Sequence, residues 1–373
     1  GCGTCHVRGA FPRLNYVGEQ FQRNGLQDVG TEDGDETGKT KIGDELFLED
    51  LGNLLGVRLN VVPVAYQTNA FQSKPGEYED RVKIGNPDWM QLFTAGSIAK
   101  NISIFIETEF STEGTFHNSW FRLGFHNLFG KGSGAGLANV WLGLQNPVEL
   151  HAANGRLPMI PAARGEVFYV RSSNGKGDDS VSIRGGRPGA SFYGRKGPIV
   201  YQLGVDSAKL NDPNVEKNGW ATLRAEATGG PLEGSSVSGW YYQGSDSQAV
   251  VDTSGALVMT RYNRFRRASV AANLRVQEVD ATAAYVRGED ANWMLADPST
   301  AEATGFEGWF LQLGYPIAPR WHLSAQYDRI DSGDHPEIRF SKVSAQVSYA
   351  PRENLRVMLV PRFDLRPEDA SHP

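Results

Sequence analysis

Trp321-His322-Leu323-Ser324-Ala325-Gln326-Tyr327-Asp328 alternates residue by residue between apolar and polar side chains. In an extended chain, neighbouring side chains point to opposite faces. One face of this segment therefore carries Trp321, Leu323, Ala325 and Tyr327, and the other His322, Ser324, Gln326 and Asp328. The same period of two recurs on both sides. Residues 342–349 set Val343, Ala345, Val347 and Tyr349 against Lys342, Ser344, Gln346 and Ser348. Residues 268–277, 221–228, 138–145 and 102–110 read the same way. From Val57 onward the pattern predicts fifteen strands: 57–67, 89–96, 101–110, 116–126, 137–146, 181–194, 198–207, 218–228, 235–245, 267–277, 279–287, 305–315, 319–330, 338–349 and 354–363.

Two architectures satisfy such a pattern. In a soluble sandwich the apolar face meets a core, and in an outer-membrane barrel it meets lipid. Three features select the barrel. The strands are about ten residues long, the length a tilted membrane strand needs. Aromatic residues cluster near strand ends: Trp89, Trp309 with Tyr315, Trp321 with Tyr327, and Tyr349. Connections alternate between short and long: short near 97–100, 195–197, 229–234, 277–278, 316–318 and 350–353, and long at 68–88, 147–180, 208–217, 246–266 and 288–304. The short set would face the periplasm and the long set the outside. Because single-chain barrels usually have an even strand number, the expected fold is all-β: a transmembrane antiparallel β-barrel of about 16 strands. The native chain is then expected to continue past Pro373 with a closing strand.

The chain has 37 Lys+Arg against 43 Asp+Glu. That balance excludes the basic face of a nucleic-acid binder. No apolar run reaches the length of a transmembrane helix.

Residues 1–56 differ in character from the rest and are expected to form a separate small domain ahead of the barrel, 57–373. They open with Cys2-Gly3-Thr4-Cys5-His6, the C-x-x-C-H attachment signature of c-type haem. Two thiols at this spacing can each form a thioether to a haem vinyl group, and the adjacent histidine is then held under the porphyrin as an iron ligand. These are the chain's only two cysteines. A disulfide or redox C-x-x-C would want a thioredoxin-like strand–helix context, which does not follow. Haem is joined to c-type cytochromes outside the cytoplasm, so a mature, exported chain is expected. Ala10 to Leu14 followed by Gly18-x-x-Phe21 predicts a turn into a short helix, and Thr31 to Lys41 a loop.

Cys2-x-x-Cys5-His6, Pro12-x-Leu14 and Gly18-x-x-Phe21-x-x-x-Gly25, leading into a porin-like region, resemble the outer-membrane monohaem cytochrome–porin fusions of bacteria that oxidise extracellular Fe(II). The resemblance implies one covalent haem c in a small domain plugging or capping the periplasmic side of the barrel. It also implies electron transfer between an outside donor and periplasmic c-type cytochromes; were the chain an enzyme, its label would be Fe(II):cytochrome c oxidoreductase.

Cys2 and Cys5 are the expected thioether positions and His6 the proximal ligand. The region before Met90 offers no other His or Met, so the iron is either five-coordinate or takes a sixth ligand from the barrel. Strand parity puts His126, His322 and Met358 on the inward face, the two histidines near the periplasmic end. His151 and Met159 fall in a long connection expected outside. Inward arginines Arg58, Arg122, Arg224, Arg275 and Arg356 are candidates for haem propionates, or else line a hydrated lumen. Acidic pairs in long loops (Asp178 with Asp179, Glu289 with Asp290, Asp331 with Asp334) are candidates for docking a metal donor; Phe105, Trp141, Trp240 and Tyr242 are candidates to line an electron path, and filling the lumen is the reading that explains most of them. Two other functions fit the same features: a solute porin with a haem plug or redox gate, and a haem enzyme such as a peroxidase. One haem cannot lie close to both surfaces of a membrane about 30 Å thick in its hydrocarbon core. Either the donor enters the lumen or a further redox partner docks outside.

Overall fold

The structure is a computed structural model. It describes residues 5–7, 10–11, 13–24, 26, 39–41, 47–49, 55–74, 77–99, 101–111, 116–130, 136–154, 159–160, 166–168, 186–207, 217–251, 257–292, 301–332, 339–352 and 355–365. Its contacts divide into two units, one of Gly25–Phe125 and one of Gly1–Asn24 with His126–Pro373. Within the larger unit, Arg13, Glu19 and Arg23 of the N-terminal segment bond to side chains of its strands.

The unit Gly25–Phe125 holds a two-stranded antiparallel ribbon, β1 (Lys39–Lys41) and β2 (Phe47–Glu49), and four longer strands. These are β3 (Leu55–Lys74), β4 (Glu77–Ala99), β5 (Ile102–Ser111) and β6 (Phe116–Phe125), each paired antiparallel with the next. The larger unit begins with a helix, α1 (Tyr16–Arg23). Its strands are β7 (Asn139–Gln145), β8 (Arg187–Lys196), β9 (Ile199–Asp206), β10 (Asn218–Glu226), β11 (Ser236–Val251) and β12 (Leu257–Val276). They continue with β13 (Val279–Asp290), β14 (Thr304–Ala318), β15 (Trp321–Asp331), β16 (Phe340–Arg352), β17 (Leu355–Leu359) and β18 (Arg362–Asp364). From β7 to β17 each strand pairs antiparallel with its sequence neighbour, and β18 also pairs with β16. β17 and β18 together are the last expected strand, interrupted at Pro361, which has no N–H to give to the ladder.

Alternation decides which face is buried. In β14, Thr304, Phe306, Gly308, Phe310, Gln312 and Gly314 are buried, whereas Trp309, Leu311, Leu313, Tyr315 and Ile317 are exposed. β15 buries His322, Ser324, Gln326 and Asp328. The face that is polar in sequence is thus the buried one, and the apolar face is open. Leu223, Val237 and Val270 are each about 60% exposed (59%, 59% and 61%), which in water would be costly for so many neighbouring side chains. Paired aromatics sit on this face: Trp321 against Tyr349 at 4.6 Å beside the short connections, and Trp309 against Tyr285 at 4.7 Å part-way along β14 and β13. This is the arrangement of a lipid-facing belt with aromatic girdles. The side chain of Trp89 lies outside the described residues.

Short connections follow β8, β10, β12, β14 and β16, all at one end of the sheet. Two connections expected to be long differ. β3 and β4 run on to Lys74 and Glu77, and β11 and β12 to Val251 and Leu257. Their outer parts, such as Tyr66-Gln67-Thr68 and Gln243-Gly244-Ser245, lack regular alternation. A ladder that leaves the apolar belt meets water on its outer side, so no periodic signal is required of it.

A positive charge in the belt is expected to be costly. Leu313→Arg should lower stability in lipid by about 2–4 kcal/mol, and Glu307→Arg at the belt's margin by roughly 0–1 kcal/mol. Urea titration of protein refolded into vesicles measures both.

Candidate haem site

The described part of the attachment motif is Cys5 and His6; Cys2 lies outside the described residues. The chain leaves His6, turns, and returns. Val7 N–H donates to the Arg13 carbonyl at 2.9 Å, and Arg13 N–H to the Ala10 carbonyl at 2.9 Å. His6 then pairs antiparallel with Leu14. The Asn15 N–H donates to the Cys5 carbonyl at 3.0 Å. Asn15 is also the N-cap of α1, its side-chain oxygen accepting from Gly18 N–H at 2.9 Å. The Phe11 ring lies 4.5 Å from the His6 imidazole, centroid to centroid. At Gly18 the helix presses onto the motif, for a Cβ there would stand 2.0 Å from the Cys5 carbonyl oxygen. The expected turn-to-helix passage is observed, and the glycine inside it is a contact requirement.

Eight residues of polar helix are not stable alone. α1 is held by charge. Glu19 accepts from Arg224 at 2.6 Å and from Arg275 at 2.7 Å. Arg23 donates to both carboxylate oxygens of Glu226, at 2.6 and 3.2 Å. Ahead of the helix, Arg13 donates to both oxygens of Asp280 at 3.3 Å and to Thr282 at 3.3 Å. Arg275 donates to the Leu14 carbonyl at 3.1 Å, Arg195 to the Tyr16 hydroxyl at 3.1 Å, and Gln22 to Glu149. Apart from Glu149, which lies in the connection after β7, these partners lie on β8, β10, β12 and β13 near the short connections, so the N-terminal segment occupies that end. Arg224 and Arg275 hold the helix, which corrects their reading as propionate partners. Arg58 lies against Gln91 and Phe93, Arg122 stacks on Trp120 at 5.3 Å, and Arg356 is half-buried.

The three distal candidates are distributed unevenly. His126 is buried, with Nδ1 3.0 Å from the Tyr193 hydroxyl, which itself donates to the Arg23 carbonyl at 2.9 Å. It therefore belongs to the C-terminal end of α1, away from Cys5. His322 is 1% exposed, with Nδ1 3.1 Å from Ser324 Oγ; its Nε2 has no hydrogen-bond partner among the described residues. Met358 is half-buried on the inward face.

Two residues expected outside are not there. His151 and Met159 are both fully buried. The connection after β7 turns inward: the Ala152 N–H donates to Ser238 Oγ at 2.9 Å, and His151 lies 6.3 Å from both Phe168 and Trp240. Val148, Ala152, Ala153, Val167 and Phe168 join Trp220, Trp240, Tyr242, Phe265, Phe306 and Phe310 in one apolar core. The signal for it was present, since these aromatics stand at polar-face positions of their strands and the connection is rich in apolar residues. Trp240 and Tyr242 fill space as expected.

The described members of the acidic pairs meet arginines. Asp290 is buried against Arg267 at 2.8 Å, Glu289 meets Arg266 at 3.0 Å, and Asp331 meets Arg329 at 2.6 Å. Asp178, Asp179 and Asp334 lie outside the described residues. Among the described residues no group of three or more His, Cys, Asp and Glu side chains could hold a bare metal ion. The donor set present fits a haem instead: a thiol and an imidazole in one compact turn, and buried imidazole nitrogens without a hydrogen-bond partner among the described residues, both of His151 and Nε2 of His322.

No family model and no curated relative matches the chain. Solved structures do. Salmonella typhi OmpF, solved in complex with daunomycin, is 14% identical over 85% of this chain and 92% of its own, with a TM-score of 0.55. An anion-selective porin from Comamonas acidovorans is 11% identical over 80% and 85%, with a TM-score of 0.52. The outer-membrane channel DcaP of Acinetobacter baumannii is 10% identical over 82% and 90%, with a TM-score of 0.52. At these identities the likeness is one of fold, that of an antiparallel porin-type β-barrel.

Two expectations concern the docked segment. Burial alone would raise the Glu19 carboxyl, but Arg224, Arg275, Arg23 and Arg13 outweigh it and hold the group below its ordinary range. Glu19→Gln is expected to destabilise docking by roughly 3–5 kcal/mol, read as faster hydrogen exchange across 16–23. For pH, the Glu19 contribution is full above the unfolded carboxylate value of about 4.3 and falls away below it. Burial pushes His151 down to about 3. Its contribution is full above the unfolded histidine value of about 6.5 and is lost as pH falls from there. Exchange at 146–154 should therefore rise before that of α1 during acidification.

Proposed function

We propose that this chain is an outer-membrane electron-transfer protein, carrying one haem c through Cys2 and Cys5 with His6 as proximal ligand. Electrons would pass from extracellular Fe(II), or from a redox partner docked outside, to periplasmic c-type cytochromes. The observation that carries the reading is the docked N-terminal segment. Arg13, Glu19 and Arg23, each paired with buried charges of the sheet, hold the attachment motif at the end with the short connections. That much buried charge is more than a flexible tether needs. The porin-type fold and its open apolar face support a place in the outer membrane. The resemblance of the first 25 residues to the cytochrome–porin fusions supports Fe(II) as donor.

When bound, haem supplies one-electron chemistry at a potential set by its axial ligands and surroundings. The chain's residues do the rest. The charged network fixes the motif, and the apolar core formed with the inward connection fills space along the inner face of β10–β15, which opposes bulk solute flow there. The second reading, a solute porin with a haem plug or redox gate, is favoured by the channels among its structural neighbours.

The deciding experiment uses purified protein in vesicles enclosing a soluble c-type cytochrome. External Fe(II) should reduce the bound haem and then the enclosed acceptor, and Cys5→Ser should abolish both. Haem that survives denaturing electrophoresis in the wild type is the prerequisite, and its absence sinks the proposal. Large conductance in planar bilayers with no Fe(II)-dependent reduction would favour the porin.

A further inference from the structure

The C-terminal end of the helix meets β8 and β10 through Tyr193 and Glu226; Glu19 meets Arg224 of β10 and Arg275 of β12, the Tyr16 hydroxyl accepts from Arg195 of β8, and Leu14, just ahead of the helix, accepts from Arg275 of β12. The turn from His6 to Leu14 reaches β13, where Arg13 holds Asp280 and Thr282. The next strands are β14 and β15. Asp280 is in register with Gly314 of β14, and Gly314 with Ser324 of β15. At about 4.8 Å per strand, Asp280 and Ser324 stand about 10 Å apart, the scale of a porphyrin. His322 is two residues from Ser324 on the same buried face.

Gly314 makes room here. A Cβ at this position would stand 2.1 Å from Met159 Sδ and 3.0 Å from His322 Cε1. The fully buried Met159 of the inward connection therefore lies in the space left by the glycine, beside the imidazole of His322. Ser324 Oγ stands at Nδ1. With the proton on Nδ1 shared with that hydroxyl, Nε2 carries the lone pair, the usual second-shell orientation of a metal-binding histidine. His126 has the opposite situation, its ring bound into the contact that closes the far end of α1.

From this placement we infer that His322 Nε2 is the distal ligand of the haem iron, with Met159, Gly314 and Ser324 as its positioning residues. The inference rests on the haem reading above. It deepens that reading by making the centre bis-histidine, with a lower potential than a histidine–methionine centre. It also assigns the connection after β7 a task, to hold the ligand ring by its thioether side chain.

Near-infrared magnetic circular dichroism of the purified ferric protein, with a redox titration, tests it. The wild type should show a six-coordinate bis-histidine signature. His322→Gly should become high-spin, and added imidazole should restore the low-spin spectrum. His322→Met should fold, gain the red methionine–iron band and raise the midpoint potential. Met159→Ala should give a high-spin fraction that the conservative Met159→Leu removes, and His126→Gln should leave the spectrum unchanged. A methionine–iron band in the wild type that vanishes in Met159→Leu or Met358→Leu would overturn the assignment. So would a wild type that is already high-spin, or a low-spin spectrum that survives His322→Gly. Absence of covalent haem would instead fail the underlying reading, and is seen before any variant is made.

Discussion

Glu19 sits between Arg224 and Arg275, and the placement of the N-terminal segment depends on that contact. A carboxylate cannot be taken out of water without a partner. A guanidinium on an inner sheet face has the same difficulty, so each makes the other tenable. The surrounding pairs, Arg13 with Asp280 and Arg23 with Glu226, extend the same logic along the segment. The result is a helix too short and too polar to exist on its own, placed by charge rather than by an apolar face. Buried ion pairs add little net stability but are severe about geometry, since breaking one leaves an uncompensated charge. That severity suits the role proposed for the segment, to hold the attachment motif in one place.

Two close approaches complete the arrangement, and both need glycine. Gly18 lets α1 lie on the Cys5 carbonyl, and Gly314 lets Met159 reach the wall beside His322. Neither has a positive φ, so the requirement is space and not backbone freedom. Between them they bring the two ends of the proposed haem environment against the same few strands.

The inward connection changes the character of the interior. A sheet that alternates lipid-facing apolar residues with polar inner ones is expected to surround water. Here Trp220, Trp240, Tyr242, Phe265, Phe306 and Phe310 occupy inner positions, and the connection after β7 packs apolar residues onto them. The interior beside β10–β15 is therefore a packed core of its own, and the residues read as exterior, His151 and Met159, are among the most buried in the chain. Local sequence cannot say which way a long connection turns. What decides it is whether enough apolar surface waits on the inner wall, and that is a sum over strands far apart in sequence.

What the sequence by itself determined is everything set by a period or a covalent motif. The dyad alternation places strands and faces because a one-residue slip would exchange lipid-facing and inner side chains. The spacing of Cys2, Cys5 and His6 is the attachment signature of c-type haem and is what the proposed cofactor rests on. His322 was legible as inward by parity alone. Only the tertiary structure decided that Arg224 and Arg275 serve the helix, that His126 closes its far end, and that Met159 lies beside His322. These are contacts between residues tens to hundreds of positions apart, chosen by the pairing of buried charge and the filling of space, and neither leaves a local period to read.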